Sequence, residues 1–182
     1  MLELSLHILD IVENSTRAGA KTVNITLIED TTGDTLSLEI RDNGSGMSED
    51  VLKKAMDPFF TTKTVRNVGL GLPMLAQAAE RTDGKFIIES KGGEGTRVAV
   101  EFKLSHIDRQ PLGNIASTLV TLIAGNTDVD FIYRHKHNDQ EYILDTRDVK
   151  REIDDVPINH VEVLHFIREN VREGMKEIGA EA

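Results

Sequence analysis

Four polar side chains near the start of the chain, His7, Asp10, Asn14 and Arg17, are spaced three, four and three residues apart. That spacing places them on one face of a helix. A carboxylate, an amide and a guanidinium so arranged can take up a polar ligand, or can form the solvated side of an amphipathic helix. Asp42-Asn43-Gly44-Ser45-Gly46-Met47 follows a segment with strand alternation. A carboxylate therefore stands at a strand end before a backbone with few side chains, although the same residues also suit a turn. Farther on, Asp57-Pro58-Phe59-Phe60-Thr61-Thr62-Lys63 runs into Val68-Gly69-Leu70-Gly71-Leu72. Its glycines let main-chain N–H groups approach an anion, the helix that follows offers its positive N-terminus, and Lys63 adds a point charge. The plainer reading is a loop before a glycine-opened helix. Gly93-Glu94-Gly95-Thr96 is either a fourth ligand-facing cluster or a hairpin turn with a strand Thr.

The elements that must position these residues are legible from periodicity. Residues 2–18 carry Leu2, Leu6, Leu9 and Val12 in an apolar stripe at helical spacing, and Gly19 supplies a stop. Segments 22–29 and 35–41 alternate apolar and polar around Thr32-Gly33-Asp34, which predicts a hairpin. Residues 48–56 open with Ser48 as N-cap, then Glu49 and Asp50 in the first turn, where the helix dipole favours acids. A loop is expected over 57–71 and a helix over 72–82, with Pro73 tolerated in its first turn. Segments 84–90 and 96–104 predict a second hairpin. Hairpins grouped with interspersed helices suggest helices packed on one face of a mixed sheet.

The strand pattern stops near 105–111. Beyond it the sequence predicts a helix at 112–124, strands at 130–135 and 140–145, and an amphipathic helix at 158–178. The last helix has Val161, Leu164, Ile167, Val171 and Ile178 at apolar positions and is expected to pack on the rest of this region.

Composition narrows the function classes. The 182 residues carry a net charge of −10, and neither half holds a basic stripe that could track phosphates, so nucleic acid is not an expected partner. Aromatic residues make up only 4% with no Trp, which disfavours a base-stacking platform. There is no cysteine, which excludes disulfides and thiolate metal sites. No stretch reads as a signal peptide or a membrane span. A cytoplasmic protein with no membrane partner is the expectation.

Taken together and in this order, the clusters resemble the nucleotide-binding domain shared by gyrase B subunits, ninety-kilodalton heat-shock chaperones, sensor histidine kinases and MutL mismatch-repair proteins. DIVENSTRAGA resembles the family's N box, DNGSGM its G1 box, DPFFTTK the entry to its lid, VGLGL its G2 box and GGEGT its last motif. The resemblance covers about residues 1–104. It implies an α+β, Bergerat-type two-layer sandwich that binds Mg-ATP; from the sequence pattern, a linker at 105–111 and a small α/β C-terminal domain at 112–182 are expected to follow.

It also implies roles, position by position. Asn14 would coordinate Mg²⁺, an amide oxygen being a suitable hard ligand. Asp42 would accept the adenine amino group, with Gly44, Gly46 and Met47 letting the backbone pass close to the base. Phe59 to Gly71 would form a lid, with Gly69 and Gly71 hinging it over the phosphates, Lys63 reaching the outer ones, and Leu70 and Leu72 also on the nucleotide. Thr96 would stand at the back of the adenine pocket, and Arg17 would neutralise phosphate charge. Asp10 occupies the position where gyrase and MutL relatives carry a water-activating Glu; being a methylene shorter, it weakens the inference of hydrolysis.

Nothing before the first helix corresponds to a sensor kinase's dimerisation hairpin, and His7 lies within the N-box helix. The resemblance therefore leads to the expectation of a stand-alone phosphotransferase that passes the γ-phosphoryl to a His or Ser of a separate protein. The alternatives are an ATP-hydrolysing conformational switch and a nucleotide-gated binding module. The chain as a whole looks like a group of short bacterial ATP-binding proteins with this same tail.

Overall fold

A computed structural model describes residues 3–55 and 71–180. Helix α1 spans Leu4–Arg17, and strands β1 (Thr22–Asp30) and β2 (Thr35–Asp42) follow as an antiparallel hairpin. Next come α2 (Glu49–Ala55), α3 (Gly71–Glu80), and the hairpin of β3 (Lys85–Lys91) and β4 (Gly95–Lys103). Helix α4 (Ile115–Gly125), strands β5 (Asp130–His137) and β6 (Gln140–Asp145), and helices α5 (Thr146–Glu152) and α6 (Val161–Glu177) complete the chain. Together the strands form one sheet in the order β3-β4-β2-β1-β5-β6, with every pairing antiparallel except β1 with β5.

The period-two pattern decides which face is covered. Val23, Ile25 and Leu27 of β1, Leu36, Leu38 and Ile40 of β2, and Val98, Val100 and Phe102 of β4 are all buried. Their register makes rows of contact such as Ile25↔Ile40↔Val98. Helix α1 lays Leu4, Ile8, Ile11 and Val12 on that face. The opposite face keeps polar residues such as Asn24, Glu39 and Arg97, the last paired with Glu39 and Glu89. This is the expected mixed sheet with helices on one side.

Residues 112–180, expected as a small domain of their own, join the same sheet and the same core. Strand β5 pairs in parallel with β1, Val23 opposite Phe131 and Ile25 opposite Tyr133. Helix α4 buries Ile115, Leu119, Leu122 and Ile123 and packs between α1 and α6, which returns Val163, Ile167, Val171 and Met175. The physical reason lies in β1 and α1. Strand β1 has two hydrogen-bonding edges, of which β2 takes only one, and α1 carries apolar side chains that reach α4. Helix α5, absent from the sequence reading, is capped by Asp145, which accepts from Arg147 N at 2.9 Å.

The 105–111 segment is bound at both ends. Asp34 accepts from both N and Oγ of Ser105 at 2.8 Å, and these bonds hold its carboxyl below the ordinary carboxylate range. Pro111 and Leu112 give their carbonyls to Leu4 N at 3.0 Å and Ser5 N at 2.8 Å, satisfying donors that the first turn of α1 leaves open. His7, fully buried, has Nε2 at 2.9 Å from Gln110 Oε1. Burial pushes its imidazole pKa down, with the Gln110 hydrogen bond opposing.

A second buried polar group secures the β1–β5 pairing. Tyr133 Oη lies 2.7 Å from His135 Nδ1, and His135 Nε2 lies 2.7 Å from Glu29 Oε1. Burial pushes the Tyr133 hydroxyl pKa up.

Candidate functional site

A cavity of about 390 Å³ opens between the C-terminal half of α1, the ends of β2 and β4, helix α2 and the start of α3. That size suits a small-molecule ligand. Its walls are apolar where Ile11, Ile40 and Val98 meet, and polar at Asn14, Asp42 and Thr96.

Asp42 is held in it from two sides. It is the last residue of β2 and only 7% exposed. Ser15 Oγ donates to its Oδ2 at 2.6 Å, and Gly44 N donates to its Oδ1 at 2.8 Å. Each carboxylate oxygen thus keeps acceptor capacity for a ligand.

The loop after Asp42 is threaded between α1 and the β3–β4 turn. Asn43 Oδ1 accepts from Lys21 N and Thr22 N, and Ser45 N donates to Ala18 O at 2.8 Å. Gly93 N donates to Ser45 O at 2.7 Å. Two glycines permit this approach. Gly46 has φ +64°, and a Cβ there would collide with the Lys91 carbonyl; Gly95 has φ +88°, and a Cβ there would collide with the Asp42 carbonyl. Both positions demand glycine twice over, by dihedral and by space.

Thr96 stands directly opposite Asp42 in the β2–β4 register, and Ser90 directly opposite Thr96 in the β3–β4 register. Ser90 Oγ accepts from Met47 N at 2.8 Å, donates to Gly95 O at 2.9 Å and lies 2.9 Å from Thr96 Oγ1.

Of the helix face foreseen from spacing, Asn14 and Arg17 border the cavity, and Arg17 Nη2 donates to Glu13 Oε2 at 3.0 Å. His7 instead faces the 105–111 segment. Asp10, one turn before Asn14, is half-buried and does not line the cavity; its Oδ2 abuts Gly71, where a Cβ would collide with it. Gly46, Met47, Gly71 and Leu72 line the cavity, while Gly44 serves it through Asp42. Phe59, Lys63, Gly69 and Leu70 lie outside the described residues.

Ser15 and Ser90 were not singled out by sequence. The available signals were a small polar residue on the buried side of an amphipathic helix, and a serine with the inward parity of its strand.

Comparison with known proteins fits this geometry. Residues 2–106 match the family described as histidine kinase-, DNA gyrase B- and HSP90-like ATPases. Sporulation kinase C of Bacillus subtilis (strain 168) is 31% identical over 94 residues, 52% of this chain and 22% of that protein. Sporulation kinase E of the same organism is 41% identical over 63 residues, 35% of this chain and 8% of that protein. The chain therefore spans less than a quarter of the length of either kinase. Among solved structures, the ADP-complexed ATPase domain of MutL from Aquifex aeolicus superposes with a TM-score of 0.51 at 16% identity, covering 80% of this chain and 63% of that one. The N-terminal domain of a DNA repair protein gives 0.56 at 16% identity, covering 96% and 59%. At that identity the likeness is one of fold. On the match over residues 2–106, the chain belongs to the histidine kinase-, DNA gyrase B- and HSP90-like ATPase family.

Proposed function

We propose that the chain binds Mg-ATP in this cavity and passes the γ-phosphoryl group to a His or Ser of a separate protein. The observation that carries the reading is Asp42, a buried carboxylate held by Ser15 and Gly44 beside the apolar wall of Ile11, Ile40 and Val98. Such a group accepts an amine hydrogen and selects a base that offers one. The purine lies between Ile40, Val98 and the Gly46–Met47 backbone. The phosphates extend toward Asn14 and the start of α3, where Gly71 and Leu72 line the cavity and the helix N-terminus favours anions.

Mg²⁺ fits this donor set. It keeps most of its waters and binds through one or two protein oxygens together with substrate phosphates, and Asn14 presents an amide at the cavity wall. When bound, the ion neutralises charge on the phosphates. Among the described residues, no group of three or more His, Asp and Glu could hold a metal without a ligand's help.

The transfer breaks the bond from Pγ to the β–γ bridging oxygen and forms one to the acceptor nitrogen or oxygen, leaving ADP. Positioning and charge neutralisation supply most of the catalysis. Asp10, set one turn before Asn14 and against the first residue of α3, orients the acceptor. The names of the two sporulation kinases support transfer over hydrolysis.

The test pairs an ATP titration with a phosphate-release assay on the wild type, Asp10→Asn and Asp42→Asn. The expected result is binding without appreciable release, with binding lost in Asp42→Asn. Steady release that Asp10→Asn abolishes would identify a water-activating base and overturn the transferase reading. A wild type that does not bind ATP would overturn both halves.

A further inference from the structure

Asp42, Thr96 and Ser90 form a straight row across β2, β4 and β3, each directly opposite the next. Only the first two line the cavity. Ser90 lies behind them, and its single hydroxyl hydrogen has two neighbours to choose from, the Gly95 carbonyl and the Thr96 hydroxyl, each at 2.9 Å. A carbonyl oxygen can only accept, whereas the Thr96 hydroxyl can also donate. With the Ser90 hydrogen on Gly95 O, the short Ser90–Thr96 contact requires Thr96 to donate to Ser90. The Thr96 hydrogen is then turned away from the cavity, and its lone pairs face in. Met47 N, donating to Ser90 Oγ at 2.8 Å, reinforces this by supplying Ser90 with a second donor and fixing its side chain.

From this geometry we infer that Ser90 is a positioning residue for nucleobase selection. It holds Thr96 as a second hydrogen-bond acceptor beside the Asp42 carboxylate, and so tunes the cavity to an exocyclic amine. This rests on the assignment of the cavity to ATP. Two acceptors side by side match the two hydrogens of a purine 6-amino group, taken directly or through one bridging water. Without Ser90, the Thr96 hydroxyl is free to rotate and to offer its hydrogen, which removes the preference without emptying the site. Ser90 also ties the loop after Asp42 to the β3–β4 turn, since Met47 and Gly95 belong to those two segments.

The experiment compares Kd for ATP with Kd for purine riboside triphosphate, which lacks only the 6-amino group, in the presence of Mg²⁺. Wild type, Ser90→Ala and Ser90→Thr are measured in parallel. The wild type is expected to prefer ATP. In Ser90→Ala that preference falls about three- to tenfold, the worth of one hydrogen bond, with the Kd for purine riboside triphosphate nearly unchanged. Ser90→Thr, which keeps the hydroxyl, restores the preference. If Ser90→Ala weakens both nucleotides equally, the residue merely supports the loop and the inference falls. An unchanged preference in Ser90→Ala overturns it as well. A wild type that binds both nucleotides alike shows that the amine is not read, which overturns the inference but leaves the site standing. A wild type that binds neither removes the nucleotide assignment itself.

Discussion

Ser15 Oγ donates to Asp42 Oδ2 across 2.6 Å, joining the helix that carries Asn14 to the strand end that carries the cavity-lining carboxylate. Both partners are buried, and the bond spans the seam between the helical layer and the sheet. It therefore has a structural and a binding consequence that can be separated.

Replacing Ser15 with Ala removes its hydrogen bond to Asp42 and leaves that from Gly44 N. A hydrogen bond to a charged acceptor contributes about 2 kcal/mol. The urea midpoint is expected to drop accordingly, and ATP affinity to fall about tenfold as the carboxylate loses its fixed orientation. Denaturation followed by titration of the folded variant checks both.

Gly71→Ala tests the contact between Asp10 and the start of α3. Alanine in a helix normally gains about 1 kcal/mol over glycine, but here its Cβ would collide with Asp10 Oδ2. The carboxylate has to turn away. Phosphoryl transfer is expected to fall at least about tenfold, and adding Asp10→Ala to this background is expected to cost little more, since the two changes act on one group. Additive losses in that double-mutant cycle would separate them.

The elements that formed as read are those whose signal is local. Ser48 does cap α2, with Val51 N donating to its Oγ at 3.4 Å, and both hairpins fall where alternation and turn residues placed them. Near α4 the reading began three residues early: Leu112 is buried, but Gly113 takes φ +75° and Asn114 caps the helix through Ser117 N. Parallel pairing of β1 with β5 was not legible, because it joins residues about a hundred positions apart and nothing local announces a partner. Helix α5 has too few apolar residues to show a period. Ser15 and Ser90 act on neighbours brought by the fold, so their spacing announced an inward face but not the partner each would meet.

His7 makes stability depend on pH. Its folded-state pKa lies below the ordinary value of about 6.5 because burial disfavours the imidazolium. The unfolded chain therefore binds the proton more readily, and stability present above about pH 6.5 is lost as pH falls toward the folded-state pKa. Unfolding free energies measured from pH 7.5 down to 5 should decline over that window, and His7→Gln should flatten the decline.

His135→Ala would leave the Glu29 carboxylate and the Tyr133 hydroxyl buried beside a void. Glu29 is 3% exposed and Tyr133 fully buried. Opening a core cavity and removing the shared partner of two buried hydrogen bonds together cost about 3 kcal/mol or more. Tyr133→Phe removes only the terminal hydroxyl of this chain and should cost about 1 kcal/mol. Urea midpoints of the two variants, compared directly, check the ratio.

The parallel bond between β1 and β5 also decides where the polypeptide can be cut. A chain ended at residue 106, where the family match stops, would expose the ladder of β1 as a bare, apolar-flanked edge of the kind that recruits other molecules. It would also strip α4 from α1. Such a fragment is expected to aggregate, although every residue lining the cavity would be present. The last seventy residues thus seal, by covalent linkage, a flank that would otherwise be sticky.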